Sequence, residues 1–295
     1  MRIGAFEVDE PAPELHEPHV ISMLSPWLDA GSVGTLTLEA LESHLGATKF
    51  ARLARPGNFF DFTRYRPTVQ YRDGERVYKV PNCDVSFARR ERGPDLAFLH
   101  LMEPHAAAEE YIDSLLELLK AIGAKRLCRI GAMWDAVPHT RPLPVNQTAR
   151  GQQRGASGAR AQRRYEGPTS IMNLLTEGAE GLGIESVSLM TRLPYYARLE
   201  EDHMGVNSIL DALGSLYDIP ASVGDKEMAR RQYREIDAQI AGDREAEQLV
   251  KRLEETYDAE RVGRPESLPP SSEPSPSLSP EIERFLRELG DRLDT

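Results

Sequence analysis

Apolar residues along the chain recur in two patterns: short continuous runs that predict buried strands, and residues three or four apart that predict amphipathic helices. The first strand is predicted over residues 19–25, where an apolar run lies between Pro18 and Pro26. The helix after it is predicted from the apolar positions Val33, Leu36, Ala40, Leu41 and Leu45. We expect Ser32 to cap the start of this helix and Gly46 to end it in a left-handed conformation.

The same order of strand and helix is predicted again further along the chain. Apolar runs at 95–101, 125–130 and 184–190 predict strands, and helices are predicted to open at Glu103 and at Pro168. The core-facing positions of the later helix are Ile171, Leu174, Leu175, Ala179 and Leu182. Repetition of strand, helix and strand predicts an α/β protein with three αβα layers, a mostly parallel sheet and right-handed crossovers.

One segment departs from this order. Residues 68–71 and 77–80 are strand-like runs separated by a stretch that contains Asp73 and Gly74. An Asp-Gly pair between such runs predicts a hairpin, because both turn positions favour a positive φ.

Beyond Tyr196 the strand patterns stop and helical patterns take over. We predict a core domain over 1–220, a helical extension over 221–262 and a short amphipathic helix over 281–295. The region 263–280 between them is predicted to be a disordered linker, since residues 263–280 contain six prolines and six serines.

Composition and charge narrow the possible functions. The chain of 295 residues carries a formal net charge of −11, which argues against a general nucleic-acid binder, since phosphate contacts need a positive surface. Cys83 and Cys128 are its two cysteines, too few for a disulfide framework. We expect neither a signal peptide nor a membrane span, because the amino-terminal residues lack an apolar core and no apolar run is long enough to span a membrane. We expect a cytoplasmic protein without membrane contact.

The carboxyl ends of the predicted strands are the place to look for a site, because ligands bind there in open α/β sheets. The candidates for binding a ligand are Asp29, Gly31, Gly34, Glu103, His139, Arg141 and Tyr195. If the protein is an enzyme, Asp29, Glu103 and His139 are its catalytic candidates for general acid–base chemistry. No metal ligand set and no cofactor is predicted.

Each candidate also has a purely structural interpretation. Asp29 and Glu103 precede helices, where a carboxylate complements the helix dipole. His139 fits a turn residue bonded to backbone, and His105 an exposed residue at a helix start. The Arg-rich segment 150–164, with five arginines and no acidic residue, fits either a mobile surface loop or a contact with an anion or a partner.

Several phrases together resemble one known family. They are WLDAGSVGTLTLEAL from Trp27, FFDFTRYRPTV from Phe59, Glu103-Pro104, AVPHTRP from Ala136 and YEGPTSI from Tyr165. This chain is similar over residues 15–220 to the proteasome assembly chaperone 2 family, and its extra carboxy-terminal helices resemble those of the actinobacterial members. The resemblance implies a core like that of purine nucleoside phosphorylases and a homo-oligomer, which is a trimer in the actinobacterial type. It also implies proteasome subunits or another protein as further partners.

Two functions remain open from the sequence. The first is a non-catalytic assembly or scaffold protein, favoured by the absence of G-x-S-x-G, P-loop and complete G-x-G-x-x-G motifs. The second is a nucleosidase-like or phosphorylase-like enzyme, favoured by the implied core and the polar strand ends. Convergence of Asp29, Glu103, His139 and Tyr195 on one point would favour the enzyme.

Overall fold

The structure, a computed structural model, describes residues 1–150 and 169–262. Most of the Arg-rich segment, the predicted linker 263–280 and the predicted helix 281–295 lie outside these residues. Within the described ranges, no helix combines the length and apolar composition that a membrane span requires.

The bounds of the elements are as follows. The strands are β1 (Arg2–Ile3), β2 (Phe6–Val8), β3 (His19–Ser25), β4 (Thr48–Leu53), β5 (Thr68–Arg72), β6 (Glu75–Lys79), β7 (Asp84–Ala88), β8 (Leu96–Met102), β9 (Arg126–Asp135), β10 (Val145–Arg150) and β11 (Glu185–Pro194). The helices are α1 (Val33–Leu45), α2 (Ala108–Ala121), α3 (Ile171–Gly181), α4 (His203–Tyr217), α5 (Lys226–Ile240) and α6 (Arg244–Val262).

The main sheet has a parallel centre with antiparallel flanks. Its strand order is β1-β2-β4-β7-β8-β3-β9-β11-β10. Strands β8, β3, β9 and β11 run parallel to one another, whereas β7 pairs with β8 and β10 pairs with β11 in antiparallel fashion. The predicted α/β class is confirmed. The flanking strands β4, β7 and β10 escaped prediction because their sequences mix polar and apolar residues without a continuous apolar run.

Helices cover both faces of the sheet and form two hydrophobic cores. On one face, Leu115 of α2 and Leu175 of α3 share a cluster with Leu24 of β3. On the other face, the cluster includes Leu38 of α1 and Leu213 of α4. Alternate residues of β3, β8 and β9 therefore enter different cores, as expected for strands buried on both sides. The three αβα layers follow from this packing.

The helical extension joins the second of these cores. Tyr233 and Ile236 of α5 are buried in the same cluster as the residues of α1 and α4. The placement of a domain boundary near residue 220 stays a prediction.

Three details differ from the sequence-based expectations. The helix expected to open at Glu103 begins at Ala108, because the backbone N–H groups of His105 and Ala106 donate to the carbonyl of Phe59 instead. In α3, Leu174 is 51% exposed rather than core-facing, and Leu182, just beyond that helix, is 46% exposed. Strand β9 continues to Asp135, five residues beyond its predicted end.

The predicted hairpin is confirmed as a separate antiparallel sheet of β5 and β6. Its turn residues Asp73 and Gly74 have φ values of 51° and 83°, the left-handed geometry that this turn requires. All residues of both strands are exposed. We call this unit the exposed hairpin.

His19, at the start of β3, occupies a position that disfavours its charged form. Its ring packs edge-on against Tyr217, with ring centroids 5.6 Å apart. Two causes lower the pKa of His19 from 6.5 to about 4: burial has the larger effect, and the nearby Arg126 guanidinium adds to it. The folded protein therefore binds a proton at this site less readily than the unfolded chain does.

We expect this difference to make the protein acid-labile. As the pH falls from 6.5 to 4, His19 is protonated in the unfolded chain but stays neutral in the folded protein. The free energy of unfolding therefore falls in this window. Replacement of His19 by Phe should flatten the fall, and replacement of the exposed His44 by Asn should not. Urea unfolding between pH 7 and pH 4 measures both, and equal slopes in the H19F variant and the wild type would refute the assignment.

Candidate functional site

Asp29, which follows β3, is the residue that caps α1. Its Oδ1 accepts hydrogen bonds from the backbone N–H groups of Gly34 (2.7 Å) and Thr35 (3.1 Å), and its Oδ2 accepts one from Thr35 Oγ1 (2.6 Å). The prediction that Ser32 caps this helix was wrong, because Ser32 has a left-handed backbone and its hydroxyl donates to the carbonyl of Glu200. A 3₁₀ turn over Ala30–Ser32 carries the chain back over Asp29 and brings its carboxylate to the helix start.

The glycine turn packs against protein rather than opening to solvent. Gly31 has φ of 59°, and a Cβ at this position would lie 2.8 Å from Asp202 Cβ. Its carbonyl accepts a hydrogen bond from the backbone N–H of Asp202 (2.8 Å). A Cβ at Gly34 would lie 3.0 Å from both Asp29 Oδ1 and Met23 Cβ. The absence of a side chain at Gly31 thus permits close approach between the turn and the start of α4, and its absence at Gly34 leaves room for Asp29 and Met23.

Asp202 is the buried carboxylate at that contact. It is 0% exposed and caps α4 by accepting a hydrogen bond from the backbone N–H of Gly205 (2.9 Å). The hydroxyl of Tyr233 on α5 donates to its Oδ2 (3.1 Å). Burial raises the pKa of Asp202, and these donors oppose the rise. One side chain therefore connects the glycine turn, α4 and α5.

Glu103 lies after β8 and contacts a different helix. Its Oε1 accepts from the backbone N–H of Ile171 at the start of α3 (3.4 Å), and its Oε2 is buried without a hydrogen-bond partner. Burial raises the pKa of this carboxyl. His105 is exposed, as expected; its Nδ1 accepts from the backbone N–H of Asp61 (3.2 Å), and its ring packs edge-on against Tyr65 at 4.5 Å.

His139 is a buried link between two elements. Its Nδ1 lies 2.6 Å from the hydroxyl of Tyr196, and its Nε2 lies 2.9 Å from Asp237 Oδ1 on α5. Its imidazole is 2% exposed. The ring is bonded to side chains, so the interpretation of His139 as a turn residue bonded to backbone was wrong. Burial raises the pKa of Tyr196 to about 12, so its hydroxyl stays protonated at neutral pH.

Arg141 forms ion pairs with α6, the last helix that the structure describes. Its Nε and Nη2 donate to Asp258 Oδ1 (3.0 Å) and Oδ2 (2.9 Å) in a two-pronged contact, and its Nη1 donates to Glu254 Oε1 (2.9 Å). The hydroxyl of Tyr257 donates to the carbonyl of Pro142 (2.7 Å). The 136–142 loop therefore binds α6 through polar contacts.

Tyr195 lies at the end of β11 beside this loop. Its backbone N–H donates to the carbonyl of Asp135 (3.1 Å), and its ring packs edge-on against Tyr196 with ring centroids 5.7 Å apart. Burial raises the pKa of Tyr195.

The structure gives the candidates contacts with different helices. Asp29 caps α1, Glu103 accepts a hydrogen bond from the start of α3, and His139 contacts Asp237 of α5. Among the described residues, no hydrogen bond or ion pair joins Asp29, Glu103, His139 and Tyr195 to one another. The same part of the chain contains no group of three His, Cys, Asp or Glu residues suited to a metal ion.

The residues that contact these candidates were not predicted from the sequence. Asp202 directly precedes α4, and its residue type is one that favours a cap. Asp237 and Glu254 could not be predicted, because they lie on helices with many charged residues and nothing local distinguishes them.

These features define a class of protein: a three-layer α/β protein whose strand-end loop is held by its own carboxy-terminal helices. The sequence model of the PAC2 family matches residues 23–241. The chain belongs to the PAC2 family. Among proteins with curated descriptions, none matches it.

Solved structures agree with this assignment. A PAC2 family protein from Streptomyces avermitilis is 26% identical with a TM-score of 0.69, covering 79% of this chain and 99% of that one. A protein of unknown function from Mycobacterium tuberculosis is 23% identical with a TM-score of 0.76, covering 89% and 94%. A proteasome-assembly chaperone homologue from Mycobacterium tuberculosis is 24% identical with a TM-score of 0.67, covering 78% and 99%.

The different contacts of Asp29 and Ser32 give a matched pair of variants. Removal of the Asp29 carboxylate by Asp29→Ala leaves two N–H groups of α1 without acceptors, and we expect it to lower the free energy of unfolding by about 1–2 kcal/mol. Ser32→Ala should lower it by less than about 0.5 kcal/mol, since its exposed hydroxyl caps nothing. Urea unfolding at pH 7 compares them, and the reverse order of effects would contradict the cap assignment.

The Arg141 contacts should control how often α6 opens. Replacement of Arg141 by Gln removes the two-pronged ion pair, worth about 1 kcal/mol at a partly exposed site, and should speed amide hydrogen exchange in residues 244–262 about fivefold. Replacement of the exposed Arg234 on α5 by Gln is the matched control and should leave this exchange unchanged. Equal exchange in the R141Q variant and the wild type would show that α6 is held by other contacts.

Proposed function

We propose that the protein is a non-catalytic assembly or scaffold protein that acts through protein–protein contacts as a homo-oligomer. The observation that carries this proposal is the exposed hairpin. A two-stranded sheet without a packed face is marginally stable in water, so its burial against another molecule would supply the missing stabilisation.

The side chains of the exposed hairpin are typical of a protein interface. Tyr71 is 66% exposed and Tyr78 is 61% exposed. Arg76 lies between them and donates to both hydroxyls, at 3.3 Å and 3.4 Å, with its guanidinium 5.9 Å from the centre of the Tyr71 ring. Tyrosine and arginine are the residue types that contribute most to binding energy at interfaces. Their contacts order the group before a partner arrives.

Charge favours a second copy of the chain as the partner. Residues 64–80 carry five basic and two acidic side chains, whereas the whole chain has a net charge of −11. The remainder of each subunit is therefore strongly acidic and complements the exposed hairpin of its neighbour. A closed ring of three subunits is the assembly that we propose, because head-to-tail contacts form a ring when the rotation between neighbours closes, and the family resemblance implies a trimer.

The relatives add a possible further partner. One solved structure of the same fold is a proteasome-assembly chaperone homologue. We therefore include a proteasome subunit, or another protein that is being assembled, among the partners of the oligomer. A cytoplasmic location belongs to the same proposal and is supported by Cys83 and Cys128, which are buried free thiols.

The separate hydrogen-bond partners of the candidate residues support a non-catalytic function over the enzyme hypothesis. A nucleosidase or phosphorylase would need its acid, its base and its binding groups within reach of one substrate. Here Asp29 and Glu103 contact the starts of two different helices, and His139 contacts α5. Each of them therefore has a structural contact.

Mass measurement of the full chain by light scattering tests the proposal. We expect about three times the 33.0 kDa of one chain. Replacement of Tyr71 and Tyr78 together by Ser should shift the protein toward the monomer, whereas replacement of the exposed Leu182 by Ser should not. A monomeric wild-type protein at micromolar concentration would refute self-association, and an unchanged oligomer in the Y71S/Y78S variant would exclude the exposed hairpin as its contact.

A further inference from the structure

The exposed hairpin has two chemically different faces. Its cross-strand pairs include Val69 with Tyr78 and Tyr71 with Arg76, and residues paired in this way point to the same side of a sheet. These four side chains form one face, which we name the aromatic face. The hydrogen bonds of Arg76 to both tyrosine hydroxyls agree with this assignment. The opposite face is mostly polar and contains Thr68, Gln70, Arg72, Glu75, Val77 and Lys79.

The aromatic face is apolar and uncovered. Val69, Tyr71 and Tyr78 are each more than half exposed. Within the part of the chain that the structure describes, the sheet of β5 and β6 is joined to no third strand. A two-stranded sheet becomes stable when it packs against a helix or gains further strands. An amphipathic helix on the aromatic face would therefore provide the packing that this sheet needs.

Residues 281–295, which lie outside the described residues, have the sequence of such a helix. Ile282, Phe285, Leu286 and Leu289 occupy positions i, i+3, i+4 and i+7, the spacing of the anchors with which an amphipathic helix binds a surface. These anchors extend over about 10 Å of a helix, at 1.5 Å per residue. The five-residue strands of the hairpin are about 17 Å long, so the whole apolar stripe fits on them.

Net charge favours this pairing. Residues 281–295 contain five acidic and three basic side chains, whereas residues 64–80 contain five basic and two acidic ones. The two segments therefore attract each other, and opposite net charges of this kind favour the correct partner over others.

The arrangement of charges along residues 281–295 supports the same contact. In a helix with 3.6 residues per turn, Glu281, Glu283 and Glu288 lie beside the apolar stripe. Arg284 and Arg287 lie on the side opposite to it. A helix that binds through its apolar stripe would bring its glutamates toward the basic hairpin and leave these arginines in solvent.

The chain between α6 and this segment is long enough for the contact. Helix α6 ends at Val262, so the 18 residues 263–280 separate it from the segment. A chain of this length spans up to about 60 Å when it is extended. Residues 281–295 can therefore reach a neighbouring copy.

We propose that the aromatic face of the exposed hairpin binds residues 281–295 of a neighbouring copy as an amphipathic helix. This inference rests on the proposed function and identifies the part of the neighbour that the hairpin contacts. Each subunit then contributes one hairpin and one helix, and the same contact repeats from subunit to subunit around a closed ring.

Replacement of Phe285 and Leu286 together by Ser tests the inference in the full chain. Amide hydrogen exchange in residues 68–79 should become at least about tenfold faster, because the hairpin loses the apolar contacts that cover it. The mass measured by light scattering should fall toward the 33.0 kDa of one chain. Arg284→Ser, on the opposite side of the predicted helix, is the control and should change neither quantity. Unchanged exchange and mass in the F285S/L286S variant would overturn the inference.

A matched pair of variants in the hairpin locates the contact. Val69→Ser changes the aromatic face, and Val77→Ser makes the same chemical change on the opposite face. Both lower the β-propensity of the hairpin by similar amounts, so their difference reports the contact with the helix. Val69→Ser should shift the mass toward the monomer, and Val77→Ser should leave it as in the wild type. Equal masses of the two variants would show that the helix does not bind the aromatic face.

The outcomes separate this inference from the proposed function. If the Y71S/Y78S variant dissociates and the F285S/L286S variant does not, the hairpin remains the contact of the oligomer, and residues 281–295 are excluded as its partner. If the F285S/L286S variant exchanges faster without a change in mass, the segment binds the hairpin of its own chain, which overturns the contact between copies. A monomeric wild-type protein refutes the proposed function itself.

Discussion

The buried imidazole of His139 is the contact on which the arrangement of the carboxy-terminal half depends. It joins the end of β11, through Tyr196, to α5, through Asp237. Because the ring is almost completely buried, both of its nitrogens need partners, and each has one. Arg141, two residues further along the same loop, forms ion pairs with α6. A short loop thereby positions both helices of the extension.

This constraint changes the meaning of the polar strand ends. In an open α/β sheet such residues commonly face a ligand. Here most of their polar atoms bond to the chain itself: Asp29 caps α1, and Arg141 binds α6. The surfaces left for other molecules lie elsewhere. One of them is the exposed hairpin, in which every residue of both strands is exposed.

Local patterns were sufficient to predict much of the fold. The apolar runs located the parallel centre of the sheet, and Asp73-Gly74 located the hairpin because its turn chemistry is determined by two residues. Contacts between distant parts of the chain were not readable. Ser32 has the preferred residue type for a cap, yet Asp29 does the capping because of how the preceding turn folds back. Likewise, nothing near His139 in the sequence identifies Asp237, 98 residues away, as its partner.

The central claim is that His139 holds the extension against the sheet. A double-mutant cycle of His139→Ala and Asp237→Ala, measured by urea unfolding at pH 7, tests it most directly, because the cycle isolates the interaction between the two side chains. We expect a coupling free energy of about 1 kcal/mol or more. Additive effects of the two substitutions would show that the imidazole and the carboxylate stabilise the fold independently, and that the loop does not hold α5 through this contact.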